Sequence, residues 1–528
     1  MAKLRACVIG AGIGGVITTK ICLDEGFDVV CFEKSDDLGG LWNYQEQIEE
    51  EKPSVYASTI INTSKEFMAF SDYPPPIEAP NFMHNTKLMD YFRSYADHFN
   101  VTKCIKFRHK VEKVVESGDY EKTGNWTITV HNLIENTTEE LTFNLVLIAT
   151  GHHCTPNRPE FKGLQKFKGS VVHTHDYKIP DAYRNKNVLV IGVGNSGLDT
   201  AVEIGRVAKN TYLSTRRGVW VLSRQGDESL PTDMSFIRRF LKYLPTSVFG
   251  YLASKRVRFN HDLYGLKPSY LPHQGHPSVC DDLANMLISG RVLVRPDVDE
   301  FDENGVLFKD NSYFNLDAII LGTGYRFEFP FLPKRILDVR NNKFPLYKFM
   351  YLPDEKWHTL PFIGYVQPVG ALNPIMELQA QWACSVFKGR KKLPSAGEMK
   401  KSIIRAEIEM KNRYYKSSRH TIQVDHARYC DEIASMAGIF PRIWSRFITD
   451  PRLAIALLFG PVLPYHYRLD NPYPWNNARS AILDAWDRVK YPGVRKFQIK
   501  KKSRGGKSIL FAIMLIGLAY FIYFQIHK

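Results

Sequence analysis

This chain lacks any local pairing of cysteines. Eight of them, at positions 7, 22, 31, 104, 154, 280, 384 and 430, are scattered over 528 residues with no CxxC. That spacing excludes a disulfide-stapled extracellular scaffold and a local redox dithiol, and it fits reduced thiols in a cytosol-facing protein. Metal-ligand spacing is missing too. His152 and His153 are adjacent but have no carboxylate or cysteine cluster with them, and their side chains are expected to diverge at a strand end. No secretory leader is expected, because residues 1–10 run straight into an apolar strand pattern. Acidic residues are the scarcer charge, 55 against 70 lysines and arginines, for a formal net charge of +15. The basic residues are dispersed and form no nucleic-acid-binding module, so nucleic acid is not an expected partner.

What is present is large and globular in composition. Hydrophobic residues make up 44% of the chain and charged residues 24%, at a length that calls for more than one domain. Two glycine fingerprints begin 182 positions apart, Gly10-Ala11-Gly12-Ile13-Gly14-Gly15 and Gly192-Val193-Gly194-Asn195-Ser196-Gly197. Each follows a short β run (5–9 and 187–191) and precedes a helix-compatible stretch (16–23 and 198–207). That setting holds a dinucleotide pyrophosphate against a helix N-terminus. Asp199, early in the second helix, is grouped with the cofactor-binding residues.

The residues that follow the two fingerprints differ in charge. After the first, the run 29–32 ends in Glu33, placed to accept hydrogen bonds from ribose hydroxyls. After the second, the run 211–213 leads into Ser214, Thr215, Arg216 and Arg217, with no carboxylate. An acid repels a 2'-phosphate, whereas an arginine fork pairs with one. The first site therefore reads as FAD or NAD and the second as NADP, with Arg216, 24 residues after Gly192, as the main phosphate ligand. Arg224 is a further candidate on the nicotinamide side.

The apolar run Asn144 to Gly151 reappears as Asp317 to Tyr325, and both end in a Thr-Gly turn. They are read as points where the chain crosses between domains and bracket the second fingerprint. The expected fold class is α/β: two Rossmann-like dinucleotide-binding domains, the NADP domain inserted in the FAD domain, plus a C-terminal membrane helix. The FAD-binding domain takes residues 1–153 and 320–445, and the NADPH-binding domain 154–319 with a helical insertion at 228–280. A membrane-proximal region at 446–507 leads to a transmembrane tail anchor at 508–526.

The tail carries its own signal. Ile509 to Ile526 contains 18 residues without a charge, behind Lys500, Lys501, Lys502, Arg504 and Lys507. At 1.5 Å per residue it spans roughly 27 Å, the hydrocarbon thickness of an endoplasmic reticulum bilayer. Basic residues ahead of the span place the preceding domains on the cytosolic side. Within 228–280, Phe236, Ile237, Phe240, Leu241 and Leu244 recur at helical spacing among Arg238, Arg239 and Lys242, and Val248 to Leu252 follow with Lys255, Arg256 and Arg258. The pattern fits a basic amphipathic helix pair on a membrane surface or over an active site, or helices packed on the domain core. The apolar stretch Leu453 to Leu463 is a second candidate membrane contact.

Between the fingerprints, Phe167-Lys168-Gly169-Ser170-Val171-Val172-His173-Thr174-His175-Asp176-Tyr177 fits FxGxxxHxxxY. In this the chain resembles the flavin-containing monooxygenases, and the likeness to the animal enzymes extends to Gly39-Gly40-Leu41-Trp42, Asn62 to Glu66, Asn81 to Asn85 and the hydrophobic tail. Gly322 departs from the alanine usual in the family. The resemblance implies FAD and NADPH as cofactors and makes Gly40, Leu41, Trp42, Asn62 and Thr63 cofactor contacts, Asn62 being the active-site asparagine. It implies that NADPH reduces FAD, that O2 adds at flavin C4a, and that the resulting (hydro)peroxyflavin oxygenates a small xenobiotic or metabolite. NADP+ stays bound to exclude water, and such chemistry needs no triad or metal.

The segments His273 to Pro277, Ile288 to Gly290 and His420 to Gln423 resemble most the fifth branch of the mammalian enzymes, which implies Baeyer-Villiger oxidation of ketones beside N- or S-oxygenation. His276 stands where sibling branches carry glutamate. It is a candidate for donating to a ketone carbonyl or holding the peroxyflavin deprotonated, or else a surface loop residue. Three other classes are weighed. A disulfide reductase needs the cysteine pair that is missing, while an NADPH oxidase releasing H2O2 and a non-catalytic membrane flavoprotein stay open, as does homo-oligomer formation.

Overall fold

The protein is described from a computed structural model that covers residues 3–49, 51–244, 248, 250, 257, 259–415 and 421–493. The chain opens with strand β1 (Arg5–Ile9), whose Ala6, Cys7, Val8 and Ile9 are all buried, the pattern of a strand covered on both faces. Helix α1 (Ile13–Asp24), β2 (Asp28–Phe32), the short β3 (Ile105–Lys106) and β4 (Leu145–Ile148) follow. The strands form a parallel sheet in the order β3-β2-β1-β4. An antiparallel meander of His109–Glu116, Trp126–Asn132 and Thr137–Phe143 precedes β4.

A second parallel sheet repeats this plan. Strands β5 (Ser170–His173), β6 (Asn187–Ile191), β7 (Asn210–Ser214), β8 (Val292–Arg295) and β9 (Ala318–Leu321) lie in the order β8-β7-β6-β9-β5, with helix α2 (Asn195–Gly205) leaving β6. A meander of Val298–Phe301, Gly305–Phe308 and Tyr313–Asn315 again precedes the last strand. Registers align the two copies. Ile9 pairs with Phe32 and Ile191 with Ser214, while the N–H of Gly10 donates to the Phe32 carbonyl at 2.8 Å and that of Gly192 to the Ser214 carbonyl at 3.0 Å. Thr215 is thus the counterpart of Glu33, and Ser214 of Phe32.

The run at 317–325 does not bring the chain back to the first sheet, and a boundary at 320 would cut β9. That strand lies between β6 and β5, paired in parallel with both. Each of the two similar runs closes its own sheet. The crossing comes a few residues later, where Tyr325–Arg326 pairs antiparallel with Thr155–Pro156, so the outgoing and returning chain are hydrogen-bonded to each other.

The 228–280 segment also departs from expectation. Its apolar run breaks into helix α3 (Thr232–Phe236) and a single 3-10 stretch, Arg239–Tyr243. Arg239 is 1% exposed, bound to both carboxylate oxygens of Asp431, and Ile237 and Phe240 pack on the main core. A buried carboxylate draws this cation inward, which favours the core-packed reading of this half. Most of the second half, including residues 251–256, lies outside the described residues.

Helix α4 (Asn373–Phe387) covers α1, whose residues Ile13 to Cys22 are all buried, and α5 (His426–Ala437) covers α4. Helices α6 (Ile443–Thr449) and α7 (Pro451–Phe459) follow. In the 453–463 stretch Leu453, Leu457, Val462 and Leu463 are at most 3% exposed in the same core as α1, so these side chains face protein. An apolar string reads alike whether it faces lipid or protein. The described part of 446–507 is likewise bolted to the first domain. Arg468, almost fully buried, sits between Glu377 at 2.6 Å and Asp72 at 2.9 Å, and fully buried Glu66 accepts from the Tyr465 hydroxyl and from Arg488 Nε, both at 2.8 Å. Among the described residues no helix is long and apolar enough to cross a membrane, and the 508–526 tail lies outside them.

Candidate functional site: two dinucleotide cradles and the seam between them

The first cradle is set by glycine geometry. Gly10 has φ +95°, and a Cβ on Gly15 would fall 1.7 Å from the Gly10 carbonyl oxygen, so only glycine lets α1 pack on the turn. A Cβ on Gly12 would meet nothing nearer than Gly40 Cα at 3.8 Å, and α1 has no side-chain cap. Its first N–H groups therefore face open space, as a pyrophosphate requires. Gly39 donates to the Ala11 carbonyl at 2.9 Å, which seats the Gly39-Gly40 turn against the fingerprint.

Glu33, 8% exposed, accepts from the Ala11 N–H at 2.6 Å and the Ser35 N–H at 2.8 Å. A cavity of about 360 Å³ opens here, lined by Gly10, Gly12, Ile13, Gly14, Glu33, Gly40, Leu41 and Trp42 of the expected set. Gly15 packs behind it. Lys34, His109, Val111 and the 150–154 turn also line it and were not foreseen. His152 and His153 do not diverge: their rings lie 4.3 Å apart, tilted by 50°, and burial pushes His153 down to about 4 and His152 well below its ordinary value. Two neutral rings at the wall suit an aromatic ligand.

In the second cradle Gly192 has φ +111°, and a Cβ on Gly197 would lie 2.2 Å from the Gly192 carbonyl oxygen, while one on Gly194 would meet nothing within 4 Å. The two cradles share one design, and both have room for a pyrophosphate. Ser196 lies half-buried in the first turn of α2, beside Asn195, whose Oδ1 accepts from the Val279 N–H at 2.8 Å. Arg216 and Arg217 are exposed and line a second cavity with Thr215, Lys267 and Arg295. Ser214 is turned away: 1% exposed, its hydroxyl donates to the Pro296 carbonyl at 2.7 Å, as its place opposite Phe32 dictates. Asp199 is also diverted, receiving the Tyr56 hydroxyl at 2.5 Å and so tying α2 to the first domain.

The FxGxxxHxxxY residues brace the crossover. His173 Nδ1 accepts from the His175 N–H, which leaves Nε2 to donate to the Gly324 carbonyl at 3.1 Å, while the Tyr177 hydroxyl donates to Glu203 at 2.8 Å.

Asn62 and Arg224 meet at the seam between the cradles. The guanidinium donates to Asn62 Oδ1 at 2.6 Å and to the Ile60 and Ile61 carbonyls, and Asp281 holds its other end at 2.7 Å. Thr63 is half-buried beside it, and the Ser64 N–H donates at 2.6 Å to Asp233 of α3. Burial lifts the Asp233 carboxyl to about 6, against the pull of Ser64. Asp233 was missed because nothing local in its sequence points to Ser64, 169 positions away. His276 is set apart from both cavity linings, next to Gln423, and burial pushes its imidazole down to about 4. Its Nδ1 and both amide atoms of Gln423 are buried without a hydrogen-bond partner among the described residues.

Residues 3–526 match the model of the flavin-binding monooxygenase-like family. The chain is 46% identical to flavin-containing monooxygenase 5 of Cavia porcellus over 501 residues, 93% of each chain. Its fold is similar to S-allyl-L-cysteine S-oxygenase from Allium sativum (TM-score 0.66, 21% identity, covering 93% of this chain and 99% of that one). It is also similar to OTEMO in complex with FAD and NADP (TM-score 0.59, 16% identity, 82% and 98% covered). The chain belongs to the flavin-containing monooxygenase family and is an enzyme with FAD and NADPH as its cofactors.

Proposed function

We propose that this monooxygenase uses NADPH and O2 to oxygenate small molecules with a soft nitrogen or sulfur nucleophile, and that it also converts ketones to esters. The observation that carries this reading is the Arg224–Asn62 bond, which couples the two cradles at one point. Bound flavin supplies the electron and oxygen chemistry, and NADPH the hydride. The chain's own residues bind, orient and exclude water: Glu33 takes the ribose hydroxyls of FAD, Arg216 the 2'-phosphate of NADPH, and Asn62, its Oδ1 held by Arg224, offers its NH2 to the reacting groups.

The ketone branch rests on the likeness to flavin-containing monooxygenase 5. His276 lines neither cavity, so its neutral imidazole bears on the product ratio through its neighbours and not by direct donation to a carbonyl. His276→Glu is expected to lower the ratio of ester to sulfoxide product, and an unchanged ratio removes His276 from the ketone branch. The uncharged run Ile509 to Ile526 behind its basic cluster supports anchoring in the endoplasmic reticulum membrane with the cradles in the cytosol. A chain ending at residue 507 is then expected to leave the membrane fraction.

The main test uses purified holoenzyme with NADPH, a sulfide and a ketone. Oxygenated product with H2O2 well below the NADPH consumed is expected. Stoichiometric H2O2 without product leaves the NADPH oxidase reading in its place.

A further inference from the structure

The second cavity brings together three guanidinium groups from two strands, and the residues after β7 account for only two of them. The third, Arg295, ends β8 in register with Ser214, and its carbonyl accepts the Thr215 N–H at 3.1 Å. Thr215 occupies the place that Glu33 takes in the first cradle. Arg295 therefore stands beside the position where the two cradles differ in charge.

Its surroundings leave that charge available. The guanidinium lies 4.7 Å from the Phe314 ring and 5.8 Å from that of Tyr212, rings that pack 4.6 Å apart. One of its nitrogens donates to the Val294 carbonyl at 3.1 Å, and its Nε is buried without a hydrogen-bond partner among the described residues. Among the described residues no carboxylate lies within ion-pairing distance of it, whereas Lys267 is paired with Asp262 at 2.5 Å. Among the described residues Asp310 is the one carboxylate lining this cavity; it accepts from the Ser312 N–H and hydroxyl and feels the Arg295 charge only from beyond ion-pairing distance. A half-buried cation with no carboxylate in direct contact is costly unless something supplies an anion at close range. A planar cation held against aromatic rings suits a phosphate dianion, which takes paired N–H donors.

We infer that Arg295 belongs to the 2'-phosphate subsite, as the member held against the Phe314 and Tyr212 rings beside the exposed Arg216 and Arg217, and that it sets the preference for NADPH over NADH. The inference rests on the assignment of Arg216 to the same phosphate.

Isothermal titration of flavin-loaded, full-length protein with NADP+ and with NAD+ tests it in Arg295→Gln, Arg295→Lys and Arg216→Gln. In Arg295→Gln, NADP+ is expected to bind about ten-fold more weakly, the worth of a charge-assisted hydrogen bond, with NAD+ little changed and partial recovery in Arg295→Lys. Equal weakening of both nucleotides, or of neither, overturns the inference. If only Arg216→Gln moves the NADP+ to NAD+ ratio, Arg295 alone is misassigned. If neither glutamine variant moves it, the phosphate lies outside this cavity. Flavin content and melting temperature are read on every variant. Should Arg295→Gln lose flavin, Arg295→Lys decides alone, and an NADP+ to NAD+ ratio equal to that of the unmodified enzyme then overturns the inference.

Discussion

Arg224 and Asn62, 162 positions apart, are joined by a hydrogen bond of 2.6 Å from guanidinium to amide oxygen. Arg224 is in turn held by Asp281, so the Asn62 amide is oriented from the NADP side while its backbone belongs to the flavin side. A charge-assisted bond of this kind is worth roughly 1.5–3 kcal/mol. Arg224→Met is expected to lower kcat/KM for sulfide oxygenation by about ten-fold or more, and Asn62→Ala added to it should cost little further, because the two act as a unit. Fully additive losses in this double-mutant cycle would separate the two residues.

The Asp233 carboxyl gives the seam a pH signature. Burial raises it from 3.8 to about 6, so between those values the folded protein holds a proton that the unfolded chain has released. Stability therefore falls as pH rises through that window and levels off above it. Asp233→Asn keeps an acceptor for the Ser64 N–H and removes the ionisation. Melting curves from pH 4 to 7 should show a flatter profile and a melting temperature a few degrees higher at pH 7; an unaltered slope counts against the assignment.

Thr215 occupies in the second cradle the place of Glu33 in the first. Thr215→Glu puts a carboxylate where a 2'-phosphate must approach, so the ratio of kcat/KM for NADPH to that for NADH is expected to fall by about ten-fold or more. A preserved ratio would place the phosphate elsewhere.

Gly322 abuts the second fingerprint. A Cβ there would lie 3.1 Å from Gly197 Cα and 3.1 Å from the Ile191 carbonyl oxygen, tight enough to displace α2 by a few tenths of an ångström. Gly322→Ala, the usual family residue, is expected to change NADP+ affinity by less than about three-fold, the scale of a small packing change. Gly197→Ala, whose Cβ would fall 2.2 Å from a carbonyl oxygen, should abolish binding. Similar effects of the two would refute the packing account.

Arg468 lies between Glu377 and Asp72, both largely buried. Removing it leaves two carboxylates without their shared cation, a loss on the order of 3–5 kcal/mol. Arg468→Met should therefore lower the melting temperature and flavin retention sharply. Arg479→Met, at an exposed pair with Asp450, should do neither.

Both strand-turn-helix units were legible because a strand buried on two faces is written as a continuous apolar run and a helix seated on it demands glycine at fixed spacing. Glu33, Gly10 and Gly12 follow directly from that logic. Register was less legible: Ser214 and Thr215 are adjacent polar residues, and only the pairing of Ile191 with Ser214 shows which one is turned inward. Sheet membership was hidden too, since 144–151 and 317–325 look alike and neither names its partner strands. Asp233, Arg239 and Arg295 owe their roles to contacts with residues remote in sequence, and 453–463 is apolar enough for lipid or for core. Each of these depends on what a residue faces.

The ribbon of Thr155–Pro156 against Tyr325–Arg326 makes the intervening stretch a cassette. Its two ends lie side by side, so one insertion suffices to place it without rerouting the host sheet, while Asp233, Arg239 and Arg224 bind it to the host at other points. A short linker joining residue 154 to 327 would leave the host chain continuous but would strip its core of Met234, Ile237 and Phe240 and leave Asp431 without Arg239. A single proteolytic cut in one leg of the ribbon would still leave the cassette tethered by the other.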